Sequence, residues 1–185
     1  FIMSKLETNT IDTVSGTTNL VIGSTNTSTI TMPNGSLSGQ NYPAFEAILS
    51  SDTSMSDLAV VKVPADTEIF DTDNCYDNST NYRFTPNVAG KYFVYVRVFI
   101  DDVGSNTNNV IAYLYKNGSA LAEARINFDN NPGEAGSPTV TQVVDMNGST
   151  DYLEAYGLGD FISGGGNMKG GSTRVTTFGA FRIGA

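Results

Sequence analysis

From Lys91 to Ile100 the chain alternates almost without interruption between β-branched and aromatic side chains, with Tyr92, Val94, Val96 and Val98 on one side and Phe93, Tyr95, Arg97 and Phe99 on the other. This pattern predicts a central strand buried on both faces. Pro86 cannot donate to a ladder and Gly90 can take a positive φ, so residues Thr85 to Gly90 are expected to close a hairpin between Tyr82–Phe84 and that strand. Shorter apolar runs at Ala44–Leu49 and Leu58–Val63, parted by the polar stretch Ser50–Asp57, predict two earlier strands. After the polar loop Asp101–Asn109 come Val110–Tyr115, a type I′ turn at Asn117-Gly118, and Leu121–Phe128. Asp129–Pro138 reads as a surface loop, and Thr139–Met146 with Tyr152–Leu158 as a hairpin through Asn147-Gly148. Gly159–Ser172, with six glycines, reads as a flexible tip before a closing strand at Thr173–Ile183. No segment carries helical periodicity over the length a stable helix needs, and the fold class is all-β.

The first forty residues differ in kind. They are rich in Thr, Ser and Asn, and their apolar positions are sparse: Ile11, Val14, the triplet Leu20-Val21-Ile22, then Ile30 and Met32. Ordering a residue costs about 1–2 kcal/mol of backbone entropy and burying a Val, Leu or Ile returns about 1.5–3, so this spacing cannot build an independent core. The segment is either disordered or buried between chains, with Leu20, Val21, Ile22 and Ile30 as the anchoring residues. The division expected is an extended arm over residues 1–41 and a folded head over residues 42–185. Met3-Ser4-Lys5 reads as a translation start, leaving Phe1-Ile2 ahead of it without assigned origin.

The order of the head's marker residues is more specific than their pattern. Phe70, Asn74, Tyr76-Asp77, Phe84-Thr85, Pro86, Gly90 and Tyr92-Phe93, with Pro43-Ala44-Phe45 ahead of them and Phe178-Gly179-Ala180-Phe181 near the end, resemble the signature of the C1q/tumour-necrosis-factor family, the C1q branch in particular. The closing motif departs from the family pattern by placing its glycine one position earlier. The resemblance implies a ten-stranded jelly-roll sandwich that assembles as a homotrimer; it implies no ligand, because folds of this kind carry many. The wording of the arm, from Ile11-Asp12-Thr13 through Gly23-Ser24 to Met32-Pro33-Asn34-Gly35, resembles the leading segments of small structural proteins of marine tailed phages, cyanobacterial phages especially.

Composition narrows the chemistry. Nineteen acidic against ten basic residues give a net charge of −9, which repels phosphate backbones and argues against nucleic acid as partner. Histidine is absent, which removes serine–histidine and cysteine–histidine hydrolysis and His-bearing zinc sites. Charged residues make up only 16% of the chain, the balance of extracellular or virion β-structure. Cys75 has no partner for an intrachain disulfide, and no apolar run reaches membrane-spanning length or reads as a secretory signal.

Asp71, Asp73 and Asp77 have the spacing of the first carboxylates of a calcium loop, but Cys75, Tyr76 and Tyr82 occupy positions such a loop reserves for an oxygen ligand, a turn glycine and a bidentate glutamate. The acidic loop residues Asp101, Asp102, Asp129 and Glu134 are the remaining calcium candidates, nominated because the resemblance is to a family in which some C1q-like trimers hold the ion at the apex; no other cofactor is implied. Asp151 with Glu154, or Asp71 with Asp73, could be nominated as a glycosidase pair, yet each sits beside turn residues where Asp is favoured for its backbone hydrogen bonds. Tyr42, Tyr76, Tyr82, Tyr152 and Tyr156 fall near strand ends, where a ring can stack on a sugar while its hydroxyl stays wet; packing in the core or the trimer seam is the competing assignment. The sequons at Asn26, Asn34, Asn78, Asn117 and Asn147 are those expected by chance in so Asn/Ser/Thr-rich a chain.

These readings converge on a non-enzymatic virion-surface protein, a homotrimeric short spike or capsid decoration with its arm against capsid or tail proteins and its head outward. The alternatives are a tail-fibre tip that binds host-surface glycan and a secreted C1q-like binding module.

Overall fold

The computed structural model describes residues 42–102, 107–128 and 131–184. The arm and its anchoring candidates Leu20, Val21, Ile22 and Ile30 lie outside the described residues, as does Asp129. Among the described residues there is no helix, and fifteen strand segments follow in order: β1 (Ala44–Ile48), β2 (Thr53–Ser56), β3 (Val60–Lys62), β4 (Thr67–Asp71), β5 (Tyr76–Asp77), β6 (Arg83–Phe84), β7 (Gly90–Arg97), β8 (Ile100–Asp101), β9 (Thr107–Lys116), β10 (Ser119–Asn127), β11 (Ala135–Gly136), β12 (Thr139–Met146), β13 (Leu153–Phe161), β14 (Gly165–Met168) and β15 (Thr177–Gly184). All pairings are antiparallel. One sheet runs β12-β7-β15-β1-β4, a second runs β10-β9-β13-β6-β5 with β3 also on β13, and a small sheet β11-β8-β14-β2 closes one end. Consecutive strands repeatedly cross from one large sheet to the other, the connectivity of a jelly roll.

The core lies between the two large sheets and its centre is aromatic. Phe45 of β1 stacks on Tyr76 and on Phe84, each at 4.5 Å between ring centroids, and meets the edge of Phe178 at 4.9 Å. Tyr92 closes the group against Phe84 at 5.7 Å. All five rings are buried, and the Tyr76 hydroxyl donates to the Ala65 carbonyl oxygen at 2.9 Å, so its polar end is satisfied inside the core. Burial pushes the Tyr76 phenol far above its ordinary value.

Four expectations are corrected here. Ser50–Asp57, expected as a polar turn, contains strand β2, which pairs with β14. Thr85–Gly90 does not join a hairpin: Phe84 pairs with Leu153 and Tyr76 in the second sheet, whereas β7 pairs with β12 and β15 in the first. The segment is a crossover, because Phe84 and Tyr92 enter the same core from opposite sheets. Asn147-Gly148 is a crossover for the same reason, with β12 on β7 and β13 on β9. The glycine-rich stretch forms strand β14 rather than a loose tip. A Cβ on Gly166 would stand 2.4 Å from the Phe161 ring and one on Gly165 2.3 Å from the Met55 carbonyl oxygen, so these glycines permit close approach. The Asn117-Gly118 turn has positive φ at both residues, 53° and 77°, as a type I′ turn requires.

Gly90 opens β7 at φ 144°, and a Cβ there would lie 2.2 Å from the Gly184 carbonyl oxygen. Gly90→Val is expected to destabilise the head by at least about 1–3 kcal/mol from the backbone alone. Cys75→Ser should melt close to the parent, since Cys75 is a half-buried free thiol whose Sγ contact to the Asp73 carbonyl oxygen a hydroxyl can replace. Thermal melting followed by circular dichroism checks both, and equal midpoints for Gly90→Val and the parent would contradict the first.

Candidate functional site

Alternation in β7 points Tyr92, Val94 and Val96 into the core and turns Phe93, Tyr95 and Arg97 out of the sandwich. This outward row is half-buried rather than buried, which corrects the expectation of a strand covered on both faces: among the described residues no element covers it. Register places Val143 and Phe181 beside Phe93, Thr141 and Gly179 beside Tyr95, and Thr139 and Thr177 beside Arg97. Glu46 of β1 lies next to Gly179, and Phe70 of β4 next to Glu46. The result is one continuous face with apolar side chains around a polar centre.

The apolar side chains of this face are Val143 and Phe70 on its two outer strands and Phe181 and Ile183 on the middle strand β15, each between 44% and 51% exposed, and the Phe93 and Phe181 rings meet at 5.4 Å. Phe70 and Phe181, markers in the sequence, are therefore surface residues here and not core.

At the centre the Tyr95 hydroxyl donates to Glu46 Oε2 at 2.6 Å, and Arg174 Nη1 donates to Glu46 Oε1 at 2.9 Å. The Tyr95 ring reaches Glu46 by lying across Gly179, where a Cβ would stand 2.3 Å from its Cζ and Oη. That close approach is the physical use of the glycine that departs from the family motif. Arg174 has φ 56°, and its carbonyl oxygen accepts from the Arg97 guanidinium and, at 2.8 Å, from Thr177 Oγ1; Arg97 Nε donates to the Val175 carbonyl oxygen at 3.1 Å. These groups line a shallow hollow of about 290 Å³ together with Thr139. Burial first, and the Glu46 carboxylate second, hold the Tyr95 phenol above its ordinary value.

The loop candidates are distributed differently. Asp71 accepts the backbone N–H of Asp73 at 3.2 Å and of Tyr76 at 2.8 Å, and Asp77 accepts those of Ser79, Thr80 and Asn81. Both are turn-forming carboxylates, and these N–H donors with the Asn81 side chain hold Asp77 well below the usual range. Asp101 faces Lys169 at 3.8 Å, while Asp102, nearly buried, donates its backbone N–H to the Glu134 carbonyl oxygen at 2.9 Å. Among the described residues no three carboxylate or cysteine side chains converge where they could hold a metal ion. Asp151 is bound by Asn117, Lys116 and the Asn147 N–H, and Glu154 Oε1 by Lys62 at 2.6 Å, while Asp71 accepts the two turn N–H groups and Asp73 keeps a buried Oδ2 without a hydrogen-bond partner among the described residues. Of the nominated tyrosines, Tyr76 is core, Tyr42 is exposed, and Tyr152 and Tyr156 lie half-buried on the second sheet. Tyr82 is half-buried just ahead of β6, and Tyr156 adjoins Tyr113 and Tyr115, which the sequence reading passed over.

Tyr95→Phe removes the donor to Glu46 and is expected to cost about 0.5–1.5 kcal/mol at neutral pH. A phenol raised in the folded state stabilises below its ordinary value of 10.0, and that contribution is lost as pH rises above it. The variant should therefore lose stability less steeply than the parent between pH 10 and unfolding, as read by urea titrations at stepped alkaline pH; parallel alkaline limbs would exclude the assignment.

No protein-family profile and no curated protein sequence matches the chain. Solved structures do. Murine APRIL at pH 5.0 superposes with a TM-score of 0.56 at 12% identity, over 77% of this chain and 100% of that one. The globular domain of zebrafish complement 1qA gives 0.54 at 12% identity, over 77% and 98%, and Eiger TNF from S. frugiperda gives 0.50 at 12%, over 77% and 91%. The head of this chain thus has the jelly-roll fold of the tumour-necrosis-factor and C1q domains.

Proposed function

We propose that this protein is a non-enzymatic binding module that works as a homotrimer, joined through the outward face of the sheet β12-β7-β15-β1-β4, on the surface of a phage particle. The observation that carries the assembly is that face itself. Large apolar side chains at Phe70, Val143, Phe181 and Ile183 stand exposed around a polar centre whose partners are already satisfied, the make-up of a surface that is covered in use. A trimer is the assembly that the resemblance of the signature residues implies, and the fold supports it.

The particle surface as location rests on the wording of the arm and on the Ser/Thr/Asn-rich, weakly charged composition. In this reading the arm attaches to capsid or tail proteins and the head projects, as a short spike or capsid decoration. A receptor-binding tip for host-surface glycan is the second reading, favoured by the tyrosines gathered on the opposite sheet.

Light scattering of the purified chain at micromolar concentration should give the mass of three copies, and Val143→Asp combined with Phe181→Asp should reduce it to one. A stable monomer from the parent chain would rule the assembly out. On particles, imaging should show three-fold density at the outer surface, and a chain truncated to residues 42–185 should be missing from it. Full occupancy by the truncated chain would transfer attachment from the arm to the head.

A further inference from the structure

The solvent face of the second large sheet is aromatic where an ordinary exposed sheet is polar. Register brings Tyr156 opposite Tyr113 on one side and Lys62 on the other, and Glu154 opposite Tyr115, so these side chains share one face. The Tyr115 and Tyr156 rings are 4.3 Å apart and Tyr113 meets Tyr115 edge-on at 6.1 Å. Further along, the Arg83 guanidinium sits 4.7 Å from the Tyr152 ring centroid. Cross-strand tyrosine pairs stabilise a sheet wherever they occur, but two further features go beyond sheet pairing.

Glu154 is only 6% exposed, with Oε1 held by Lys62 at 2.6 Å and Oε2 meeting, among the described residues, the Tyr156 hydroxyl at 3.4 Å. That leaves a desolvated oxygen with accepting capacity beside ring faces. Next to Tyr113, a bulge in β10 between Ala120 and Ala122 turns out Leu121 and forms, with Glu123, a shallow concavity of about 250 Å³.

We propose that this face is a saccharide-binding platform. The rings of Tyr113, Tyr115 and Tyr156 would take the C–H face of a pyranose, and Glu154 Oε2 and the phenol hydroxyls would meet its hydroxyl groups. The charge pattern selects a neutral sugar. Lys62 is paired with Glu154, Arg125 with Glu123 and Lys116 with Asp151, so the cations beside Tyr113, Tyr115 and Tyr156 are already compensated, Arg83 lying further along against Tyr152, and the chain as a whole carries −9. An acidic sugar would meet net repulsion there. The inference deepens the glycan-binding reading and rests on the head being a binding module, but it does not require the trimer, because the platform lies on the sheet opposite the assembly face.

Saturation-transfer NMR on the full chain tests it, with methyl β-glucoside, methyl β-galactoside, methyl α-mannoside and N-acetylglucosamine as neutral probes and N-acetylneuraminic and glucuronic acids as acidic ones. At least one neutral probe should receive saturation at its ring C–H protons, and the acidic probes should receive less. Tyr115→Leu and Tyr156→Leu, which keep bulk and so the fold, should each weaken binding about tenfold, the loss expected for removing one stacked ring. Glu154→Gln should weaken it less, and Tyr42→Ala not at all. The proposal fails if no neutral probe is saturated, if acidic probes bind more strongly, or if both tyrosine variants bind as the parent does. It also fails if those variants reduce the mass seen by light scattering, since the face would then be a seam between subunits. Sugar binding by an intact monomer would uphold the platform while excluding the trimer, which keeps the two failures apart.

Discussion

The head depends on one contact set, the stacking of Phe45 between Tyr76 and Phe84 with Phe178 and Tyr92 against the edges. These five rings come from β1, β5, β6, β15 and β7, which belong to both large sheets, so the cluster fixes the spacing of the sheets and the register of the strands entering it. Non-local packing of this kind has no local substitute. Truncating a buried ring of this sort typically costs about 3–5 kcal/mol, a large share of the stability of a domain. The short strands β5 and β6 could not persist as an isolated two-residue ladder, and it is the buried Tyr76 and Phe84 rings that hold them in place.

The same strands that build this core also build the outward face of the sheet β12-β7-β15-β1-β4, because side chains alternate. Tyr92 and Phe93 are neighbours in sequence and opposite in role: one closes the core, the other lies against Phe181 in the open. In β15, Phe178 is core, Phe181 is surface, and Gly179 between them is what lets Tyr95 lie flat toward Glu46. A chain that holds a tyrosine, a glutamate and two arginines in fixed hydrogen bonds on one sheet face is pre-organised there, and pre-organisation lowers the entropy lost on association.

Much of this was legible in the sequence, and the failures have physical reasons. Alternation, turn residues and the order of the aromatic markers located the longer strands and the fold, because each of those signals acts locally or is packed into one cluster, whereas the short or polar strands β2, β4 and β11 lack that signal. Pairing partners were not legible: Thr85–Gly90 and Asn147-Gly148 carry turn chemistry, but turn chemistry does not say whether the chain folds back beside itself or crosses the sandwich. Glycines at 165 and 166 read as looseness, whereas they mark close backbone approach that only the opposing Met55 and Phe161 reveal. Tyr113 and Tyr115 passed unremarked because a strand pattern shows that two faces exist without showing which one meets water. The carboxylates were better understood, since Asp71 and Asp77 do serve turns, as their flanking residues suggest.

The turn around Asn147 has a consequence for the lifetime of the molecule. A folded protein ages chemically fastest where an asparagine precedes a glycine, because the glycine nitrogen can close onto the side-chain carbonyl. Two such pairs fall in described turns here, and both asparagines are clamped. Asn147 Oδ1 accepts the backbone N–H groups of Ser149, Thr150 and Asp151, while Asn117 donates to Asp151 at 2.9 Å and accepts from the Tyr152 N–H at 2.9 Å. Cyclisation at either would require breaking these bonds together, so the fold that sets the geometry of the crossover also slows the covalent decay of its own weakest links.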